Sequence, residues 1–432
     1  MRGMRITVLA AMLFAPALSH AYLTTDDILW TETGRYPGYA AAAPDPRVLR
    51  FSVDGGVHRD SNLFRLSDNA NAAAILGSSE RADTITRLGL GLRADVPVSL
   101  QRFVFEARVD DYRFDRYSVL DHVGHRAQAT WNWQVGSRWR GDLGYGETRF
   151  LSGFGELQAP LRDMIDDKHG FASAGFLLTP RWRVHGGIDV RDFQHSDATR
   201  RTLDQQTETV MIGVDYFTPI NNSLGLQVSH TKGDFDRLQP IGATLVNNDY
   251  KENNISLVGH YIVTGRSTLD ARLGYTRRTH EQFSQRDFSG ATARLGYDWA
   301  VTGRVLLNFQ AWRETQGYGF TTSALQAIQD TSSSYVVTTG FSFGPHWAFS
   351  EKIVLQGRYI DERRKFQGDA STAVLGAAGQ SESFRGLALA AGWTPRRNLL
   401  LSLGIETGKR TSNVALRDYD YSAISATGKF TF

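Results

Sequence analysis

Apolar and polar side chains alternate with a period of two residues in segment after segment of this 432-residue chain. Residues 49–57 read LRFSVDGGV, residues 86–94 read TRLGLGLRA, and residues 424–432 at the other end read ISATGKFTF. In an extended strand successive side chains point to opposite faces, so each segment has one apolar and one polar face. The alternation therefore predicts an all-β protein whose strands expose different chemistry on their two sides.

The number and length of these segments favour a barrel in a membrane. We count about 18 of them, within a range of 16–18, and each reaches the roughly 9–11 residues that a tilted strand needs to cross a bilayer. No shift in composition along residues 47–432 marks a second folded domain. The sequence predicts a transmembrane antiparallel β-barrel over residues 47–432, preceded by a short periplasmic lead-in at residues 22–46.

The connections between the segments alternate in length. Short turns are predicted around Pro97, Gly136, Pro180, Pro219, Gly265, Gly303 and Pro395. Longer polar loops are predicted at residues 59–82, 149–169, 192–206, 232–250, 313–334 and 361–382. Bacterial barrels have short periplasmic turns and long extracellular loops, so the pattern places both chain ends in the periplasm.

Aromatic residues support this orientation. Seven of the nine tryptophans lie within a few residues of the short turns: Trp131, Trp133, Trp139, Trp182, Trp299, Trp347 and Trp393. Such clustering is typical of an aromatic belt at a membrane interface, whereas a soluble β protein would scatter these rings through its core. The last residue, Phe432, is similar to the terminal signal by which the barrel-assembly machinery recognises outer-membrane proteins.

The first residues have the pattern of a secretory signal peptide. Arg2 and Arg5 precede an apolar stretch at residues 6–18 and a small-residue site that ends at Ala21. We therefore expect residues 1–21 to be removed by cleavage near Ala21 and the mature chain to lie in the bacterial outer membrane. Charged residues make up 22% of the chain, which fits a soluble protein equally well, and with no cysteine neither disulfides nor thiolate metal sites are available.

Arginines are prominent on the polar faces of the segments, which in a barrel line the lumen. The candidate lumen or substrate-path residues are Arg50, Arg87, Arg102, Arg108, Arg126, Arg138, Arg183, Arg272, Arg294 and Arg358. One interpretation is a basic track that guides an anionic solute, because guanidinium groups bind carboxylates in a bidentate manner. The other is a lumen in which Arg–carboxylate pairs mainly stabilise the wall.

The sequence predicts neither an enzyme nor a cofactor or nucleic-acid site. No Gly-x-Ser-x-Gly elbow, His-Glu-x-x-His helix or phosphate-binding glycine loop occurs in it. The acids Asp163, Asp166 and Asp167 form a conceivable calcium cluster in a predicted loop, but a solvated cluster is the preferred interpretation and no metal is predicted.

One short motif follows the first segment. Residues 58–66 read HRDSNLFRL, in which Asp60 and Asn62 favour side-chain-capped turns and Leu63 and Phe64 are expected to pack back against the barrel. The stretch resembles the Asp-Ser-Asn-Leu-Phe-Arg motif of the exosortase-associated exopolysaccharide-export barrels (EpsL-type), in the β-barrel porin group. The resemblance implies an outer-membrane pore that works beside periplasmic export proteins.

The sequence-based hypothesis is therefore an outer-membrane pore that exports an exopolysaccharide, anionic or mixed in charge, through an arginine-rich lumen. Its partners would be outer-membrane lipid, the polymer and, in the envelope, periplasmic export proteins. Two alternatives stay open: a general or small-solute uptake porin, and a non-conducting structural or adhesin barrel. A deep inward-folded loop would favour the porin, and residues 313–334 are the candidate for such a loop.

Overall fold

The computed structural model describes residues 48–241, 244–282, 284–317, 335–367 and 379–432. The predicted signal peptide, the periplasmic lead-in and most of the 313–334 loop lie outside these residues. No helix among the described residues is long and apolar enough to cross a membrane.

Twenty strands are present in the described ranges, and eighteen of them belong to one sheet. The eighteen are β1 Leu49–Asp60, β2 Asp83–Val98, β3 Gln101–Phe114, β4 His122–Val135, β5 Trp139–Leu151, β6 Met164–Thr179, β7 Trp182–His195, β8 Gln205–Phe217, β9 Ser223–Phe235, β12 Tyr250–Thr264, β13 Ser267–His280, β14 Phe288–Ala300, β15 Val305–Gly317, β16 Tyr335–Ala348, β17 Ile353–Gln367, β18 Ser381–Arg396, β19 Leu399–Ser412 and β20 Tyr419–Thr431. The remaining two, β10 Gln239–Ile241 and β11 Thr244–Val246, form a small hairpin in a loop.

The sheet closes on itself to form the predicted barrel. Each strand pairs antiparallel with the next barrel strand along the chain, and β9 pairs with β12 across the small hairpin. The first and last strands also pair, with Val53 opposite Phe430 on β20 and opposite Leu90 on β2. The predicted fold class is confirmed, since the barrel has 18 strands. Closure gives each of the eighteen described barrel strands a partner on both sides.

Short turns lie at one end of the barrel and longer connections at the other. The turns include the predicted ones and one further turn, between β16 and β17, that has neither the Gly nor the central Pro of the others. At the opposite end the strands extend into the predicted loops, so that the 149–169 loop is reduced to residues 152–163. Three shorter connections at this end, at residues 115–121, 281–287 and 413–418, were also not predicted.

The barrel wall has the two faces that the alternation predicted. Outward-facing apolar side chains such as Leu88, Leu90 and Ile212 are 58–62% exposed, which suits contact with hydrocarbon. Inward positions carry charged, polar and small residues. The largest cluster of buried apolar side chains lies in the long connections, which contain the helices α1 Ala72–Leu76 and α2 Phe154–Leu157.

Candidate functional site: the lumen and the loops folded into it

A buried carboxylate, Asp54, organises the inward faces of β1, β2 and β3. Its side chain is fully buried and accepts hydrogen bonds from Arg87 Nη2 at 2.8 Å and from Arg108 Nη1 and Nη2 at 2.8 and 2.7 Å. Arg108 also donates to both oxygens of Asp110 at 2.6 and 2.7 Å. Such charge-assisted bonds fix the guanidinium groups in place on the wall.

Gly89 makes this network sterically possible. It lies on β2 between Asp54 on β1 and Asp110 on β3. A Cβ atom at this position would collide with the Arg108 guanidinium and the Asp110 carboxylate. The glycine therefore lets Arg108 reach across an entire strand to Asp54.

Cations outnumber carboxylates on one side of the lumen, formed by the adjacent strands β20, β1, β2, β3 and β4, which we call the basic wall. Between its periplasmic end and the level of Arg87, seven cations face inward: Arg50, Arg87, Arg93, Arg102, Arg108, Arg126 and Lys429. Four carboxylates face inward with them: Asp54, Asp95, Glu106 and Asp110. This side of the lumen is therefore net positive.

The remaining walls have no such excess. On β6 to β9 the inward Arg183 and Arg191 are balanced by three aspartates, with Arg183 bound to Asp215 at 2.6 Å and Arg191 to Asp167 at 2.6 Å. On β14 and β15, Arg294 forms a bidentate pair with Glu314 at 2.7 and 2.6 Å. Several of the predicted lumen arginines are thus ion-paired, and the excess of positive charge is confined to the basic wall.

The candidate arginines differ in their surroundings. Arg102 binds Asp95 at 2.5 Å near the periplasmic end, and Arg272 donates to Gln227 at 2.9 Å while lying opposite Arg294. No ion pair of Arg50 or Arg126 is found within the described ranges, and each lies opposite another arginine, Arg93 and Arg108 respectively. Arg358 is on the inward face of β17.

The placement of Arg138 on the lumen face was wrong. This residue is exposed in the turn between β4 and β5 and not on a strand. Gly136, with φ of 59°, bends the chain there and ends the alternation on which the prediction rested.

Loop 1, residues 61–82, folds into a packed cluster with loop 2, residues 115–121, and loop 3, residues 152–163. Phe64 is completely buried at its centre, with its ring 4.7 Å from that of Tyr117 and 4.8 Å from that of Phe154. Leu120 and Leu157 are also fully buried. Burial raises the pKa of Tyr117, whose hydroxyl donates to Glu80 O at 2.5 Å. Leu63 and Phe64 are buried as expected, but mainly within this loop cluster, which reaches the barrel wall at Phe114 on β3.

Loop 1 is attached to the inner wall of the barrel. Arg65 binds Asp60 at 2.8 Å and stacks over the inward ring of Tyr421 on β20, 3.6 Å from the ring centre. Asn62 Nδ2 donates to Leu66 O at 2.8 Å and to Asp420 O at 2.9 Å, which closes the turn and ties it to β20. Because its anchors are inward-facing side chains, loop 1 lies inside the extracellular end of the barrel.

Loop 3 extends further, towards strands that are distant around the barrel. It connects β5 and β6, yet Gly155 O accepts a hydrogen bond at 2.7 Å from Arg410 Nη2, on the inward face of β19. Gln158 Nε2 donates to Arg65 O at 2.7 Å and so joins loop 3 to loop 1. The two loops together occupy part of the extracellular mouth.

The sequence pattern indicates residues 313–334, and not these loops, as the inward-folded constriction. Most of that candidate loop lies outside the described residues. A usable signal was present, since Phe154, Leu157 and Leu161 form an apolar repeat in a loop that would be polar if it faced water.

The candidate calcium cluster is dispersed in the structure. Asp163 is buried against Arg200 at 2.8 Å, Asp166 faces Arg149 at 3.3 Å, and Asp167 binds Arg191. The side chains of Asp166 and Asp167 project to opposite faces of β6. Within the described ranges no group of three or more His, Asp or Glu side chains is arranged to hold a metal ion.

The belt tryptophans lie on outward-facing positions towards the short-turn end. Trp131, Trp139, Trp182, Trp299, Trp347 and Trp393 are 39–49% exposed, and Trp133 lies across Gly141 on the neighbouring strand. Phe432 follows β20, is 58% exposed, and donates its backbone N–H to Phe51 O at 2.8 Å. This is the arrangement that an interfacial belt requires, and its contact with lipid stays a prediction.

A closed barrel with an even number of antiparallel strands, an apolar exterior and unequal connections defines an outer-membrane β-barrel. No known family model matches the sequence, and no curated protein matches it. Neither search supports the resemblance to the EpsL-type barrels, whose sequence motif is limited to residues 58–66.

The fold is similar to solved outer-membrane proteins of Pseudomonas aeruginosa. The OpdK structure covers 89% of this chain and 99% of its own, at 10% identity and a TM-score of 0.46. OccK2 (OpdF), solved in complex with glucuronate, covers 89% and 98% at 11% identity and a TM-score of 0.47. OpdL covers 89% and 98% at 14% identity and a TM-score of 0.43. Likeness at this level gives no information on the solute of this chain.

Proposed function

We propose that the chain forms a passive outer-membrane channel for the uptake of small anionic solutes. The observation that carries the proposal is the cation excess on the basic wall, with the mouth above it narrowed by loops 1 and 3. A cleft lined by one sign of charge raises the local concentration of counter-ions, and rings of arginine select anions. The inward-folded loops favour the uptake alternative over polymer export.

The wall arginines supply successive weak binding sites along the lumen. Arg87 and Arg93 are six residues apart on β2, a distance of roughly 20 Å along a strand. Arg50 on β1 lies opposite Arg93, and Arg126 on β4 lies opposite Arg108. Neither Arg50 nor Arg126 has an ion pair among the described residues, so each can replace part of the hydration shell of a passing anion with a guanidinium contact. Binding at each step stays weak because Arg50, Arg93 and Arg126 keep contact with water, while Arg87 is held by Asp54 and adds mainly to the local potential.

Ion selectivity in planar bilayers tests the proposal. The double variant Arg50→Gln/Arg126→Gln removes two lumen charges and leaves the Asp54 network intact. At about 8 Å one charge contributes about 0.5 kcal/mol in pure water and about half of that at an ionic strength of about 0.1 M. The contribution has opposite signs for anions and cations, so removal of both charges should lower the anion-to-cation permeability ratio about fivefold at that salt concentration. Arg149→Gln, on an outward-facing position, is the control and should leave the ratio unchanged. If the double variant has the same anion-to-cation permeability ratio as the unsubstituted chain, the basic wall does not select anions.

Export of an exopolysaccharide is the second candidate, and the 58–66 motif favours it. A polymer chain would have to pass beside loops 1 and 3 or displace them. Addition of the host's own exopolysaccharide to the bilayer distinguishes the candidates, since an export pore should be blocked by the polymer at the periplasmic side. A channel for small solutes should instead be blocked by small carboxylates, and a structural barrel should not conduct.

A further inference from the structure

A hollow of about 500 Å³ opens on the outward face of the barrel, across β18, β19, β20 and β1 near their extracellular ends. Leu387, Leu389, Ile405 and Ile424 line it and are 42–55% exposed. Two smaller side chains, Thr407 and Ser422, lie among them in the same row of the sheet. The hollow forms because short side chains stand between long ones, and its size is typical of a small-ligand pocket.

Cations lie around the extracellular edge of this hollow. Arg59 lines it directly, on the outward face of β1. Arg385 and Lys409 are two residues beyond Leu387 and Thr407, about 7 Å further towards the cell exterior. Arg385 is 69% exposed in its side chain and binds Asp361 at 2.9 Å.

The outward charges of these five strands, β17 to β20 and β1, are mainly positive. Arg363 and Lys365 extend the cluster on β17, so that five cations face outward against two acids, Asp361 and Asp420. The outward face of β5 to β9 has the opposite balance, with five acids, Glu147, Asp166, Asp192, Glu208 and Asp234, against Arg149, Lys168 and Lys232. The positive patch is therefore specific to one side of the barrel.

We propose that this surface binds an acylated, phosphorylated glycolipid of the outer leaflet, with an acyl chain in the hollow and phosphate groups on Arg59, Arg385 and Lys409. The hollow is continuous with the apolar exterior, so its occupant comes from the lipid phase. The cations stand at the level where that exterior ends and headgroups begin. Basic groups at this level attract anionic lipids, and arginine binds phosphate in a bidentate manner.

Binding of purified bis-phosphorylated lipid A to the detergent-solubilised barrel, followed by native mass spectrometry, tests the headgroup contacts. The variant Arg385→Gln/Lys409→Gln should bind about 25-fold more weakly, since each juxtamembrane cation contributes about fivefold. Arg149→Gln/Lys168→Gln removes the same number of outward charges from the opposite side and should bind as the unsubstituted chain does. Equal losses in the two double variants would overturn the proposal.

A second pair of measurements tests the hollow. Thr407→Leu/Ser422→Leu fills it while leaving every cation in place. This variant should bind the full lipid more weakly, yet bind the deacylated phosphorylated headgroup as before. Dephosphorylated lipid A should bind poorly to the unsubstituted chain. If it binds as tightly as the phosphorylated form, or if filling the hollow has no effect on the full lipid, the site is not as proposed.

Discussion

Gly89 has a role that depends on the absence of a side chain. The Arg108 guanidinium passes over it to reach Asp54, which has no contact with solvent. Loss of Arg108 is costly because the buried Asp54 carboxylate would lose two of its charge-assisted hydrogen bonds and keep the one from Arg87. Stability of this wall therefore depends on a residue that has no side chain to contribute.

The variant Gly89→Val should displace Arg108 and lower the free energy of unfolding by about 3 kcal/mol, the lower part of the range for a broken buried pair. Urea unfolding of the barrel in lipid vesicles, followed by tryptophan fluorescence, measures the loss. Gly296 is a matched control, because it also faces the lumen from mid-strand but a Cβ there meets no atom within 4 Å. Gly296→Val should leave stability almost unchanged, and a similar loss in both variants would contradict the steric explanation.

Residue positions were predictable from the sequence, but pairings between them were not. Alternation alone predicts Arg108 on the lumen face, and the same parity in the first segment puts Asp54 there, because side-chain direction in a strand depends only on parity. Their contact depends on the register of β1, β2 and β3, which is fixed by how the intervening connections close. Arg138 was misplaced for a related reason, since parity has no meaning once the strand has ended.

At the scale of elements, the loops form a folded unit that is distinct from the barrel wall. The packed cluster of loops 1, 2 and 3 contains the largest group of buried apolar side chains among the described residues. The wall depends instead on backbone pairing and its lipid environment. Changes in the cluster should therefore alter the mouth of the channel without unfolding the barrel.

Phe64→Ala tests this separation. Loss of the buried ring should destabilise the loop cluster by about 3–5 kcal/mol, so that loops 1 and 3 leave the mouth more often. Single-channel recordings should show higher conductance and more frequent transitions, while the barrel's resistance to heat in detergent is retained. Val119→Ala, in loop 2 but 58% exposed, is the control and should behave as the unsubstituted chain does. Unchanged conductance in Phe64→Ala would mean that the cluster does not limit the pore.

The sequence predicted the strands more fully than the loops. Strands follow a period that repeats through the chain, whereas the inward fold of loop 3 depends on single contacts with distant strands, such as Gly155 O with Arg410. The 58–66 motif was informative because its turn-forming and apolar residues are adjacent in sequence. Contacts between residues more than 250 positions apart leave no such local pattern.

At the scale of the whole molecule, the unequal connections orient the barrel across the membrane. The start of β1 and the end of β20 lie with the short turns, and loops 1, 2 and 3 lie at the opposite end. The basic wall in the lumen and the outward-facing cations around the hollow depend on this orientation in different ways. The first would select anions that enter from outside, and the second requires the phosphorylated headgroups of the outer leaflet at the loop end.

The orientation can be tested by cysteine labelling, because the natural chain contains no cysteine. Val119→Cys places a thiol in loop 2, and Glu351→Cys places one in the turn between β16 and β17, both at exposed positions. A bulky polymer-linked maleimide added to intact cells should label the first and not the second, while both should react after the outer membrane is permeabilised. If only the turn thiol is labelled in intact cells, the barrel has the opposite orientation in the membrane. The lipid site would then face the inner leaflet, where phosphorylated glycolipid is not its neighbour.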